Sequence, residues 1–334
     1  MLLGKDSIAD KEFRFGGNLK FVKFGISLHL AIAYLFVVYI YITKGIVLIN
    51  QNARFGIPTG VEYAVKSVLP IAAFIPFLFK KNHVPMILLV VLPSILLGYR
   101  GTSVLALVSY VICIWYIATL NNMKIKAAKR SKKYLYIFFG IICFIIVFSG
   151  FYLRRTSSSE LAAVDVILDL YFDYNDWWVY LIIPFYLGFK ETIGLTNTII
   201  TSDTENNINE HTLFFADLFT VLPGERLAAG QSLGKIFGTV EDGGLTPGLL
   251  GGLYIDYGIL SFIFFFISGI SLRFISKIAY RNILFVPVAS LIITQFIHLF
   301  HRGFLKPEYI TSLMIALFYY LLINKFKILN YEKY

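Results

Sequence analysis

The sequence predicts an all-α polytopic membrane protein, with about 8–10 transmembrane helices and one large extracytoplasmic loop. Three observations predict it. Hydrophobic residues make up 57% of the chain and charged residues 15%, whereas a soluble domain carries about a quarter charged. Several windows approach the ~20 apolar residues needed to cross a ~30 Å hydrocarbon core. One segment of ninety-odd residues, 153–244, interrupts these windows and differs from the rest in charge.

The apolar runs follow in order. The first, 21–43, comes after the mixed-charge MLLGKDSIADKEFRFGGNLK, which lacks the pattern of a cleavable signal, so the run is expected to act as an internal anchor. His29 within it is expected to hydrogen-bond between helices. The second, 61–79, carries Glu62 and Lys66 at i, i+4, a spacing that favours an ion pair. The third, 84–98, is short and contains Pro93; the carbonyl that proline frees needs a partner from another helix or from water. Runs 102–120 and 134–152 are uninterrupted. In 161–189, LAAVDVILDLYF and WWVYLIIPFYLGF flank the polar DYND. Each half is short for a span, which leaves a re-entrant hairpin, interfacial helices or two short spans open. Runs 245–270, 283–300 and 309–326 complete the set.

Basic residues set the expected orientation. With the N-terminus inside and no net crossing by 161–189, cytoplasmic segments hold 19 of the 30 basic residues. The segment 153–244 has five basic and thirteen acidic residues and belongs outside. A single crossing by 161–189 would put Arg273, Lys277 and Arg281 outside, against the rule. Both termini are therefore expected in the cytoplasm, and residues 1–334 are read as one integral membrane domain with 153–244 as an inserted loop.

Composition also excludes. The net charge of +10 reads as cytoplasmic loops and anionic lipid rather than nucleic acid. Cys113 and Cys143 both lie in apolar runs, so a disulfide framework is not expected. The chain contains no GxxxxGK[ST], Rossmann fingerprint or GxSxG elbow, and no HExxH or Cys/His cluster. ATP hydrolysis and a bound metal or other cofactor are not expected.

Candidate chemistry gathers at the outer ends of the spans. Arg100 lies in LLGYRGTSVLAL, Arg154 and Arg155 end a span in GFYLRRTSSSE, and Arg302 sits in HLFHRGF beside His298 and His301. Arginines at an outer face run against the positive-inside bias, and ionisable groups at membrane depth are functional candidates by default. Together they would form a cationic basin for a phosphorylated lipid. His298 and His301 have i, i+3 spacing and could face one site; either, or His211, could serve as a base near neutral pH. In the outer loop, Leu213, Phe214, Phe215, Leu218 and Phe219 are spaced as a short helix, packed on neighbouring spans or roofing a cavity. The turn at Pro223-Gly224 leads to Glu225 and Arg226, and arginine's planar fork suits diphosphate or carboxylate.

GYRGT before a span, LRRT before a large outer loop, FTVLPGERL in that loop, and GGLTPGLLGGLYIDYG leading into a helix ending in SGI occur in that order. This pattern resembles the Wzy-type oligosaccharide repeat-unit polymerases of O-antigen, lipopolysaccharide and capsule biosynthesis, over roughly residues 90–275. The resemblance implies a metal-independent, inverting glycosyltransferase in the bacterial cytoplasmic (inner) membrane. Its donor and acceptor would be undecaprenyl-diphosphate-linked glycans, with membrane lipid and a chain-length regulator protein as further partners. It implies substrate-binding roles for Arg100, Arg154 and Arg226, and an entrance formed by Pro223, Tyr254 and Gly258. The chain departs from the pattern in having fewer clear spans, and in placing sixteen residues rather than fifteen between Arg226 and Gly243. A lipid-linked glycan flippase or transporter and an O-antigen ligase are the alternative functions.

The glycines of Gly243–Gly258 have two expected tasks. Gly243, Gly244 and Gly248 turn the loop into the bilayer, and Gly251 and Gly252 let a helix approach its neighbour closely. Asp256 is expected to meet an outer arginine, or to act as the base itself.

Overall fold

A computed structural model describes residues 20–47, 57–79, 82–120, 179–201, 213–221, 227–237 and 245–331, and every regular element among them is helical. Five of these helical segments are long and apolar enough to cross a membrane, and His83–Leu96 is a shorter apolar helix. The chain is an all-α membrane protein.

The helices are α1 (Lys20–Lys44), α2 (Thr59–Lys66), α3 (Leu69–Leu78), α4 (His83–Leu96), α5 (Arg100–Leu120), α6 (Val179–Thr201), α7 (Leu213–Phe219), α8 (Ala229–Ile236), α9 (Gly248–Tyr257), α10 (Ser261–Arg281), α11 (Val286–Arg302) and α12 (Pro307–Tyr331). The centre of the bundle is α3, whose residues are nearly all buried. Phe74, Ile71 and Ile75 of α3 share one core with Leu107 and Tyr110 of α5, Val288 and Leu291 of α11, and Tyr319 of α12. By contrast α1 and α10 turn broad apolar faces outward, with Phe24, Leu35, Phe266 and Phe274 among the exposed side chains. That distribution suits helices solvated by lipid on one side.

Several expected spans differ in detail. The run 61–79 is two helices, α2 and α3, separated at Ser67 and Val68. His29 holds this break: its Nε2 lies 2.6 Å from Ser67 Oγ, and its Nδ1 lies 3.2 Å from Tyr319 Oη. The expected inter-helix role of His29 is what the structure shows. Pro93 lies inside α4 and frees the carbonyl of Leu89, four residues earlier. Tyr34 of α1 donates to that carbonyl at 2.8 Å. The neighbouring helix supplies the partner that this carbonyl needs.

The run 245–270 is not one helix. Gly258, at φ 53°, ends α9, and a 3-10 turn over Gly258–Leu260 leads into α10. The second half of 161–189 is also longer than expected: α6 runs 23 residues, through Lys190 and Glu191 to Thr201. At 1.5 Å per residue that is about 34 Å of helix. The span 134–152 and the first half of 161–189 lie outside the described residues.

Candidate anion site at the α11–α12 turn

The site begins with a helix end. Gly303 takes the left-handed conformation, φ 85°, and its N–H closes the last turn of α11 on Leu299 O at 2.8 Å. This is the αL stop in which glycine avoids the Cβ penalty. Residues 304–306 then cross to α12, which starts at Pro307. The turn therefore places Arg302, Lys306 and Glu308 within seven residues at one end of the bundle.

Close backbone packing fixes this turn against α9. A Cβ on Gly252 would lie 2.1 Å from Gly303 O, and one on Gly303 would lie 2.5 Å from Gly248 O. Only hydrogen fits at either position. The loop before α9 is tied to α6: Glu191 accepts from the Thr246 N–H at 3.0 Å and its hydroxyl at 2.7 Å, and Thr196 Oγ1 donates to Pro247 O.

Two short helices cover the turn. The carboxylate of buried Asp256 accepts the N–H of Leu213 at 3.1 Å and of Phe214 at 2.6 Å. These are orphan donors at the start of α7, where the helix dipole also favours negative charge. Asp217 of α7 repeats the device, accepting the Ala229 N–H of α8 at 2.7 Å, while Gln231 Oε1 accepts the Ala228 N–H at 3.1 Å. In return Leu305 N–H donates to Phe214 O at 3.0 Å. Phe304 packs with Leu213, Ala229 and Leu233, and Phe214 with Leu249, Leu253, Leu299 and Tyr309. The Leu213–Phe219 pattern is thus a helix packed on its neighbours.

The charged side chains cluster beneath. Lys66 pairs with Glu62 at 2.5 Å and with Glu308 of α12, and its Nζ stands 4.9 Å from the centre of the Tyr99 ring. The expected Glu62–Lys66 pair is present, and Glu308 joins it. Tyr99 immediately precedes Arg100, the first residue of α5, so the GYRGT turn lies at this end of the bundle. His298 Nδ1 and Tyr309 Oη are 2.9 Å apart, and Gln295 donates to Tyr309 O at 3.1 Å. Arg302, Lys306 and Lys66 all act electrostatically on His298. Arg302 Nε is buried and has no hydrogen-bond partner among the described residues.

Lys306 is the other exceptional cation. Burial first, then Arg302 and Lys66, push its pKa below the ordinary lysine value, with Glu308 and Asp217 opposing.

The structure therefore brings together Arg302, His298 and the Arg100 turn, and it adds Lys66, Lys306, Glu308 and Tyr309. His301 does not join His298 at Tyr309: it is exposed, and both Arg302 and Glu191 act on it electrostatically. Asp256, expected to meet an arginine or act as a base, accepts two backbone N–H groups of α7 with its carboxylate oxygens. Tyr254 lies partly buried on α9. Arg154, Arg155, His211, Glu225 and Arg226 lie outside the described residues. Lys306 and Glu308 were readable signals, since HRGFLKPE sets four ionisable groups at a span end.

No protein-family model matches the chain, and comparison with curated proteins and with solved structures finds no similar protein.

Proposed function

We propose that the chain polymerises undecaprenyl-diphosphate-linked oligosaccharide repeat units at the outer face of a bacterial cytoplasmic membrane, by en bloc inverting glycosyl transfer. The observation that carries the reading is the buried Arg302 Nε, which has no acceptor among the described residues, at the turn that also holds Lys306 and His298. A buried donor without a partner is costly, about 1–3 kcal/mol, and an anionic ligand would supply the acceptor. Arginine's fork suits a phosphate oxygen.

In this reading the acceptor hydroxyl attacks the anomeric carbon of the donor glycan. The bond from that carbon to the carrier's phosphate oxygen breaks, and the diphosphate departs toward Arg302. With Nδ1–H donating to Tyr309 Oη, His298 Nε2 keeps the lone pair that takes the hydroxyl proton. Arginine stabilises charge on the leaving group as it develops. Arg100 is the second candidate for the diphosphate.

Glycan ladders from a deletion strain test the proposal. Loss of the chromosomal copy is expected to leave single-repeat glycan. Complementation with R302A or H298A is expected to restore no ladder, and with H301A to restore it. Normal ladders from R302A and H298A overturn the reading. A deletion strain with no surface glycan at all points instead to a flippase or ligase.

A further inference from the structure

Arg302 and Lys306 stand four residues apart across the Gly303 turn. Arg302 Nε lacks a described acceptor. The carboxylates that act on Lys306 are Glu308 and Asp217, and both are committed elsewhere. Glu308 is held by Lys66, which also holds Glu62. Asp217 accepts the Ala229 N–H. Among the described residues, the remaining charged groups that interact with Lys306 or His298, namely Arg302, Lys66 and His301, are not carboxylates. The turn thus gathers positive charge while its neighbouring acids are spent on other partners.

We infer that Arg302 and Lys306 form a two-cation binding site for a phosphate- or diphosphate-bearing anion, and that Lys66 is a positioning residue that keeps Glu308 from filling it. The inference deepens the proposed carrier site and rests on that reading for the identity of the carrier. Without Lys66, Glu308 would be an uncompensated carboxylate next to Lys306. The cheapest response is a new Glu308–Lys306 pair, because an unpaired charge in such a setting is strongly unfavourable. Lys66 would therefore raise anion affinity without touching the anion.

Protonation gives a second readout. Burial, Arg302 and Lys66 favour the neutral amine of Lys306, while an arriving anion favours the ammonium. Anion binding is then accompanied by proton uptake at alkaline pH, below the ordinary lysine value of about 10.4.

The test is calorimetric titration of the purified full-length protein in detergent. Inorganic pyrophosphate and farnesyl diphosphate are the probes, each in two buffers of different ionisation enthalpy. Wild type is expected to bind with proton uptake. Lys306→Met is expected to weaken binding about tenfold, as for loss of one charge-assisted hydrogen bond, and to abolish the uptake. Lys66→Met is expected to weaken it comparably, and the double variant K66M/E308Q to recover it. Tighter farnesyl diphosphate than pyrophosphate supports a lipid headgroup as the source; equal affinity supports recognition of the phosphates alone. Unchanged affinity and uptake in K306M, or no recovery in K66M/E308Q, overturns the inference. The K306M arm stands even if the Lys66 variants fold poorly. Lost ladders with intact pyrophosphate binding in K306M overturn this site and spare the polymerase. Lost binding with normal ladders does the reverse.

Discussion

Asp256 shows how one buried carboxylate decides the placement of a loop. It sits on α9 and receives two backbone N–H groups from α7, so a residue of the bundle caps a helix about forty residues earlier in the chain. Charge-assisted hydrogen bonds of this kind contribute about 1.5–3 kcal/mol. Asp256→Asn keeps an acceptor but loses the charge, and is expected to cost about 1–2 kcal/mol of stability in detergent, measured by denaturant titration. Lys306 makes a prediction of opposite character. Its pKa in the folded protein lies below its unfolded value, so between the two the unfolded chain binds more protons. Stability therefore rises with pH as the folded-state value is passed, up to about 10.4, and is lowest on the acid side. Melting curves over that range should show the slope in wild type and a flatter one in Lys306→Met. An identical slope in both would mean another group is responsible.

At the scale of elements, α9 and the Gly303 turn meet backbone to backbone. Gly252→Ala would drive a methyl carbon into Gly303 O, a backbone atom that cannot rotate away. Because that contact seats both Arg302 and the α7 cap, the substitution is expected to lower the thermal midpoint steeply and to abolish pyrophosphate binding. Gly269, midway along α10, has nothing within 4 Å of its would-be Cβ. Gly269→Ala is expected to be neutral or stabilising by up to about 1 kcal/mol, the helix propensity difference. Comparing the two melts separates a packing requirement from a general intolerance of change. Tyr34 and Pro93 supply a second element-level case. Tyr34→Phe leaves the Leu89 carbonyl without its donor, and a loss of about 1–2 kcal/mol is expected.

Across the whole molecule, the functional candidates of the α11–α12 turn and the start of α5 lie at one end of the described bundle. Lys66 ties α2 to α12, Tyr99 brings the start of α5 beside it, and α7 and α8 lie over the α11–α12 turn. Arg281, at the end of α10, belongs to the opposite end. The distribution of basic residues expects the cluster outside and Arg281 inside. In a background without the two native cysteines, Ile236→Cys on exposed α8 should label in intact cells with a membrane-impermeant reagent. Arg281→Cys should label only after permeabilisation. The reverse pattern would invert the orientation and remove the site from the outer face.

The sequence by itself determined that the chain is helical and membrane-embedded, because length and apolarity of a run decide whether it can cross lipid. It also determined the Glu62–Lys66 pair and the helical pattern of Leu213–Phe219, since both rest on spacing along one helix. Arg302 and His298 were legible as charges at a span end. Tertiary structure decided the rest. That His298 faces Tyr309 while His301 does not depends on how α12 docks. That Lys66 answers two glutamates, one of them 242 residues away, is invisible to local spacing. The break at Gly258 and the capping by Asp256 depend on what the backbone meets after folding. A run of apolar residues reports that a segment is buried in lipid or protein; only packing tells which polar groups of the described residues, Arg302 Nε among them, are left without a partner.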